Sequence, residues 1–166
     1  MESLDKLVFR NAERADVPLI LNFIKKLAEY ERLLTEVEAT EDILSEWIFD
    51  RHAAEVVFAE YDGQSVGFAL YFYNFSTFTG KAGLYLEDLF VMPEFRGRGI
   101  GKALLFHLAS KAYENGCGRM EWVCLDWNQN SIDFYKSIGA ISMDDWTIYR
   151  LSRPRLHEIH NIINDY

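Results

Sequence analysis

The stretch that most constrains this chain is Leu84-Tyr85-Leu86-Glu87-Asp88-Leu89-Phe90-Val91-Met92-Pro93-Glu94-Phe95-Arg96-Gly97-Arg98-Gly99-Ile100-Gly101-Lys102. An apolar run of strand character carries two consecutive acids and stops at Pro93. A basic loop punctuated by glycines then opens a helix near Ile100. Glycines let the backbone curl with its N–H groups facing inward. The helix start adds unsatisfied donors and a partial positive charge. Together they make an anion site suited to a phosphate or pyrophosphate. The dinucleotide fingerprint needs G-x-G-x-x-G, whereas Gly97, Gly99 and Gly101 follow G-x-G-x-G. The Walker loop needs a glycine where Arg96 stands and a Ser or Thr where Ala103 stands. Both common nucleotide readings fail on spacing.

Which molecules could approach such a loop depends on the charge around it. The formal net charge is −9, so no basic face for nucleic acid is visible, and a cationic substrate is attracted. An anionic co-substrate is repelled at long range and needs local donors: the loop N–H groups, Arg96, Arg98 and Lys102. Cys117 and Cys124 are the only cysteines, without disulfide or zinc spacing, which suggests reduced thiols and a cytoplasmic protein. No run approaches the ~20 apolar residues of a membrane span, and the N-terminus lacks an apolar signal core. With 49% hydrophobic residues in 166, one domain spanning 1–166 with a full core is expected.

Taken in order, Leu7–Arg10 reads as a strand. A helix capped by Asp16, with Pro18 inside its start, runs to about Glu31 on the stripe Leu19, Ile20, Phe23, Ile24, Leu27 and Ala28. A second helix follows Thr40, with Ile43, Leu44, Trp47 and Ile48 on one face. Glu55–Glu60 and Ser65–Tyr73 form a hairpin about Asp62-Gly63. After the loop, the helix from Ile100 ends near Asn115 at Gly116 and Gly118. Met120–Leu125 is a strand, and its link through a helix makes it parallel to the preceding one. Asn130 or Ser131 caps a short helix through Ile138. Trp146–Leu151 is a last strand, and Ser152 and Pro154 open a C-terminal helix. Simple alternation on the central strand puts Leu84, Leu86, Asp88 and Phe90 on one face and Tyr85, Glu87, Leu89 and Val91 on the other.

Arg96, Gly99 and Gly101 match Q/R-x-x-G-x-G/A, the pyrophosphate loop of the GNAT superfamily of N-acetyltransferases. Four segments in order, 27–31, 85–92, 96–101 and 127–136, resemble the diamine (spermidine/spermine) and thialysine acetyltransferases. The sequence departs from relatives in Asn128-Gln129-Asn130-Ser131, where N-E-P-S is common. The resemblance implies an α/β fold: a single-domain acyl-CoA N-acyltransferase with a mixed, mostly antiparallel central sheet and helices on both faces. It implies acetyl-CoA as co-substrate, held by Leu89, Phe90, Val91, Arg96, Gly97, Arg98, Gly99, Ile100, Gly101, Lys102, Asn128 and Ser131. A bulge after Glu87-Asp88 would leave the N–H groups of Leu89 and Val91 for the acyl and pantetheine carbonyls, where they stabilise the developing oxyanion. It also implies a homodimer.

The chemistry is attack of a primary amine on the thioester. At pH 7 only about 1 in 2,500 free amines is neutral, a cost near 4.6 kcal/mol. Glu87 is expected to accept the proton, directly or through water, and Tyr135 to protonate the departing thiolate. A phenol near ~10 against a thiol near ~8.5 makes that transfer uphill by about 2 kcal/mol. From pattern alone, Tyr135 also fits a core tyrosine on the face of Ser131 and Ile138, and Glu87-Asp88 a surface pair. Tyr30, Glu31, Glu87, Asp88, Glu121, Trp122 and Asp145 are the candidates for binding the amine. No metal is expected, because His157 and His160 lack a third ligand. The favoured substrate is a polyamine or diamine. Thialysine or a lysine-like amino acid is the alternative, and a non-catalytic acyl-CoA sensor is an alternative of another class.

Overall fold

A computed structural model describes residues 4–164. The chain divides into two compact units, Met1–Val123 and Cys124–Tyr166. The first unit holds a five-stranded sheet in the order β1-β2-β3-β4-β5: β1 Leu7–Asn11, β2 Glu55–Tyr61, β3 Gln64–Ser76, β4 Lys81–Val91 and β5 Arg119–Trp122. The first three pairings are antiparallel and β4–β5 is parallel. The mixed, mostly antiparallel sheet expected from the sequence is therefore present.

Local chemistry explains the connections. Asp62 (φ 54°) and Gly63 (φ 79°) both lie in the left-handed region, the two-residue hairpin turn that suits strand twist. Helix α1, Val17–Tyr30, starts after Asp16, but that carboxylate does not cap it. Asp16 instead accepts from Arg10 at 2.7 and 3.1 Å and from the Glu13 N–H at 2.7 Å. Helix α2, Glu41–Leu44, is capped by Thr40 and passes into a wider π-type turn, Ser45–Asp50. Helix α3, Ile100–Glu114, carries the chain from β4 to β5.

Helices cover both faces. Ile20 and Phe23 of α1 and Ile48 pack on Val56, Phe58, Phe68, Leu70 and Phe90. Phe23 stacks on Phe68 with ring centroids 5.2 Å apart. On the opposite face His107 of α3 stacks on Phe9 at 4.5 Å, beneath the buried row Ile100, Leu104, Leu105 and Leu108.

Three further expectations are corrected. The strand expected over Met120–Leu125 ends at Trp122, because its partner loses regular pairing: the last matched pair is Leu86 with Trp122, and the next β4 residue is bulged. The strand expected over Trp146–Leu151 is a loop, with Trp146, Ile148, Tyr149 and Leu151 all exposed. The second unit contains no strand among its described residues, and a lone strand has nothing to bond. That unit holds α4, Gln129–Ser137, and α5, Arg153–Asn164. The cap of α4 is Asn128 rather than Asn130 or Ser131.

Candidate active site

The site is built on an irregularity in β4. Leu70 of β3 pairs with Asp88, but the next residue, Tyr71, pairs with Leu86, so Glu87 is the extra residue of a β-bulge. The bulge lies within the acid pair rather than after it. One extra residue also breaks the alternation expected for this strand. Leu84 and Leu86 share the α3 face with Leu89 and Val91, while Tyr85, Asp88 and Phe90 share the α1 face with Phe72, Leu70 and Phe68, their partners in β3. Glu87 is exposed and Asp88 half-buried on the side of α1.

The end of α1 meets this bulge. Burial pushes the Asp88 carboxyl up to about 7, with Glu87 and then Glu31 adding like-charge repulsion. Glu31, which caps α1, is also pushed up by burial. Three carboxylates thus converge at the C-terminal end of α1, and one of them titrates near neutrality. Groups held this far from their ordinary range concentrate at functional sites.

Beside them lies the glycine loop 96–99, where Arg96 reaches the Tyr30 ring. Gly97 (φ 77°) and Gly99 (φ 85°) are both left-handed, which curls 96–99 into the start of α3. Gly99 is the N-cap of α3 and has no side chain to cap it. The first helical bond runs from the Ala103 N–H to the Gly99 carbonyl, leaving the N–H groups of Ile100, Gly101 and Lys102 at the free end of the helix. A Cβ on Gly101 would meet Val91 at 3.6 Å and Leu89 at 3.9 Å, ordinary contact, which accounts for a motif that accepts glycine or alanine there. Among the described residues, β4 past Leu86 pairs with β3 alone, and its other edge has no strand neighbour beside Leu89, Phe90 and Val91. An open strand edge leading to an uncapped helix start, with Arg98 and Lys102 alongside, fits an elongated thioester donor ending in a pyrophosphate.

Arg96 does something the sequence did not suggest. Its Nε–H donates to the Val91 carbonyl at 2.9 Å. Its guanidinium lies over the rings of Tyr30 at 4.6 Å and Phe90 at 5.2 Å. Glu121 is likewise engaged: it accepts from Arg119 at 2.9 Å and from the Asn74 amide at 3.1 Å. Trp122 is the last residue of β5 and is half-buried. Phe72, packed against Tyr85 at 5.0 Å, and Asn74 were missed in the sequence, although period two along β3 places both on the face of Asp88.

The other candidates belong to the second unit. Asn128 caps α4, its Oδ1 accepting from the Ser131 N–H at 3.4 Å. Tyr135 is half-buried in the second turn of α4, its ring 5.5 Å from that of Phe134. Asp145 is exposed in the loop before α5. Among the described residues no group of three or more His, Cys, Asp or Glu is placed to hold a metal, and no helix is long and apolar enough to cross a membrane.

The candidate site thus combines a bulged strand carrying paired acids, a strand edge and a helix start capped only by glycine. Residues 21–140 match the acetyltransferase (GNAT) family, and the chain belongs to that family. It is therefore an N-acetyltransferase, of a family that takes its acetyl group from acetyl-CoA. It is 34% identical to a thialysine N-epsilon-acetyltransferase of Sus scrofa, over 92% of this chain and 96% of that protein. It is 36% identical to a spermidine/spermine N(1)-acetyltransferase-like protein 1 of Homo sapiens, over 93% of this chain but 24% of that longer protein. Among solved structures, an integron cassette protein from the mobile metagenome of V. cholerae superposes with a TM-score of 0.78 at 28% identity, covering 93% of this chain and 98% of the other.

Proposed function

We propose that this enzyme transfers the acetyl group of acetyl-CoA to a primary amine of a small cationic substrate, a diamine or polyamine, and that the two units act as one acetyltransferase domain spanning 1–166. The family match runs from 21 to 140, across the boundary between the units, which supports the single domain. The observation that carries the substrate reading is the convergence of Glu31, Glu87 and Asp88 beside the donor loop. A monocation would satisfy one carboxylate, whereas an extended polycation offsets several at once.

The donor would lie along the open edge of β4, with its pyrophosphate at the N–H groups of Ile100, Gly101 and Lys102. The N–H groups of Leu89 and Val91 would hold the acyl oxygen as it gains charge. Asp88 joins Glu87 as the proton acceptor. From an ammonium near 10.4, transfer to an ordinary aspartate near 3.9 is uphill by about 9 kcal/mol, and to one at about 7 by about 5 kcal/mol. Protonating Asp88 also relieves its repulsion with Glu87 and Glu31. Tyr135 would return a proton to the leaving thiolate. No metal enters the scheme.

The test is thiol release with putrescine, spermidine, spermine, thialysine and lysine. The expected outcome is a kcat/KM for spermidine or spermine at least tenfold above that for lysine. A preference for thialysine would establish the alternative, which the Sus scrofa relative favours by name. Turnover of none would end the substrate reading.

We also infer a cytoplasmic homodimer. Neither Cys117 nor Cys124 is in a disulfide among the described residues. Trp146 is 73% exposed, Ile148 70% and Tyr149 91%, in a strand-like sequence without a strand, and this is surface that a second copy would cover. Light scattering is expected to give twice the 19.4 kDa chain mass. A single chain mass at micromolar concentration would overturn this.

A further inference from the structure

We propose that Arg96 is a positioning residue that clamps the amine-binding turn of α1 against the donor loop, rather than a ligand of the donor's phosphates. The inference rests on the reading that Glu31, Glu87 and Asp88 receive the amine.

Helix α1 ends in a way that needs an external hold. The Leu33 N–H bonds the Ala28 carbonyl at 2.7 Å and the Arg32 N–H bonds the Glu29 carbonyl at 3.1 Å, the paired bonds of a Schellman cap. That cap requires a left-handed residue, ordinarily glycine. Here Arg32 fills it at φ 63°, a conformation that disfavours a side chain. The last turn carries Tyr30 and Glu31, so the residues facing the amine sit on a strained helix end.

Arg96 supplies the hold from the other side. Its Nε–H is committed to the Val91 carbonyl at 2.9 Å, which fixes the guanidinium at the end of β4. Its Cζ then lies over Phe90, a β4 core residue, and over Tyr30, the last residue of α1. One side chain therefore joins three parts: the strand end, the loop that receives the donor and the turn that receives the amine. Arginine suits this and lysine does not, because only a planar guanidinium can stack on rings while donating from Nε. The gap between thioester and amine is then set by this contact, and small errors in that gap are costly in rate.

The test compares Arg96→Lys, Tyr30→Leu, their double variant and Tyr30→Phe. Arg96→Lys keeps the charge and loses the plane. It is expected to raise the amine KM at least tenfold while acetyl-CoA affinity by calorimetry changes less than threefold. Tyr30→Leu should reproduce the amine effect, the double variant should be no worse than either single one, and Tyr30→Phe, which keeps the ring and loses only a hydroxyl beside the amine, should be clearly milder than Tyr30→Leu. A tenfold loss of acetyl-CoA affinity with the amine KM unmoved would overturn the clamp, as would single effects that multiply. If the wild-type protein turned over no amine of the panel, the substrate reading would fail by itself. Amide exchange would then decide the clamp: faster exchange at Arg32 and Leu33 in Arg96→Lys supports it, and unchanged exchange overturns it.

Discussion

Asp88→Asn is expected to lower kcat/KM for the amine by about 10²-fold or more, at the level of a lost general base, and at the same time to raise the melting temperature above pH 7. The two effects have one cause. Asp88 sits half-buried between Glu87 and Glu31, and its carboxyl is pushed up to about 7, chiefly by burial. The sign follows from the proton count. Between about pH 4 and pH 7 the folded chain keeps a proton on Asp88 that the unfolded chain releases, so stability falls as pH rises through this window. Above it the fold carries a desolvated charge, a cost on the order of 2–4 kcal/mol once the exposed part is discounted. Asparagine removes that charge, so a melting temperature higher by several degrees at pH 8 is expected, with little difference at pH 4. Activity of the wild-type enzyme should rise with pH through about 7 as Asp88 becomes able to accept a proton. Glu87→Gln should move that rise to lower pH, since Asp88 loses a repelling neighbour. An Asp88→Asn enzyme of undiminished activity, or a wild-type rise unrelated to neutrality, would remove Asp88 as acceptor and return the role to Glu87.

Much of this could be read in the chain, and the misses have physical causes. The glycine turn before α3 was legible because glycine at positive φ and an uncapped helix start are local features: Gly97, Gly99 and Ile100 sit where the residue types require. The acid pair was legible as unusual, but not which acid would be desolvated. That depends on the bulge at Glu87, and a bulge is fixed by pairing with β3 across the register step at Leu70 and Tyr71. Period-two reasoning cannot see it, so the faces beyond Leu86 came out reversed. The motif around Arg96 implies cofactor binding and is silent on its side-chain neighbours. Its contact with Tyr30 joins residues 66 positions apart in the sequence and needed coordinates. The contact of Glu121 with Asn74 is likewise set by the pairing of neighbouring strands and by no local pattern. Trp146–Leu151 has the composition of a strand, but composition does not supply a neighbour to bond with.

Tyr135→Phe isolates the last proton of the reaction. The leaving group is a thiolate whose acid lies near ~8.5, so at pH 7 its departure is helped by a donor held within hydrogen-bond reach. A phenol at ~10 can serve, because the unfavourable difference of about 2 kcal/mol is within what fixed geometry recovers. Tyr135 stands on α4, a helix capped by Asn128 and closed at Gly139 (φ 88°), so its backbone is well anchored. Removing one oxygen from a half-buried ring keeps the packing with Phe134, and the melting temperature should hardly change. The expected result is a fall in kcat of at least tenfold, about 1.4 kcal/mol or more in the barrier, with acetyl-CoA affinity unchanged. The deficit should shrink as pH rises above ~8.5, where the thiolate leaves without needing a proton. A core tyrosine predicts the reverse: intact kcat at every pH, with any cost appearing as lost stability. Single-turnover thiol release at pH 7 and pH 9 separates the two readings, because it reports the chemical step rather than product release.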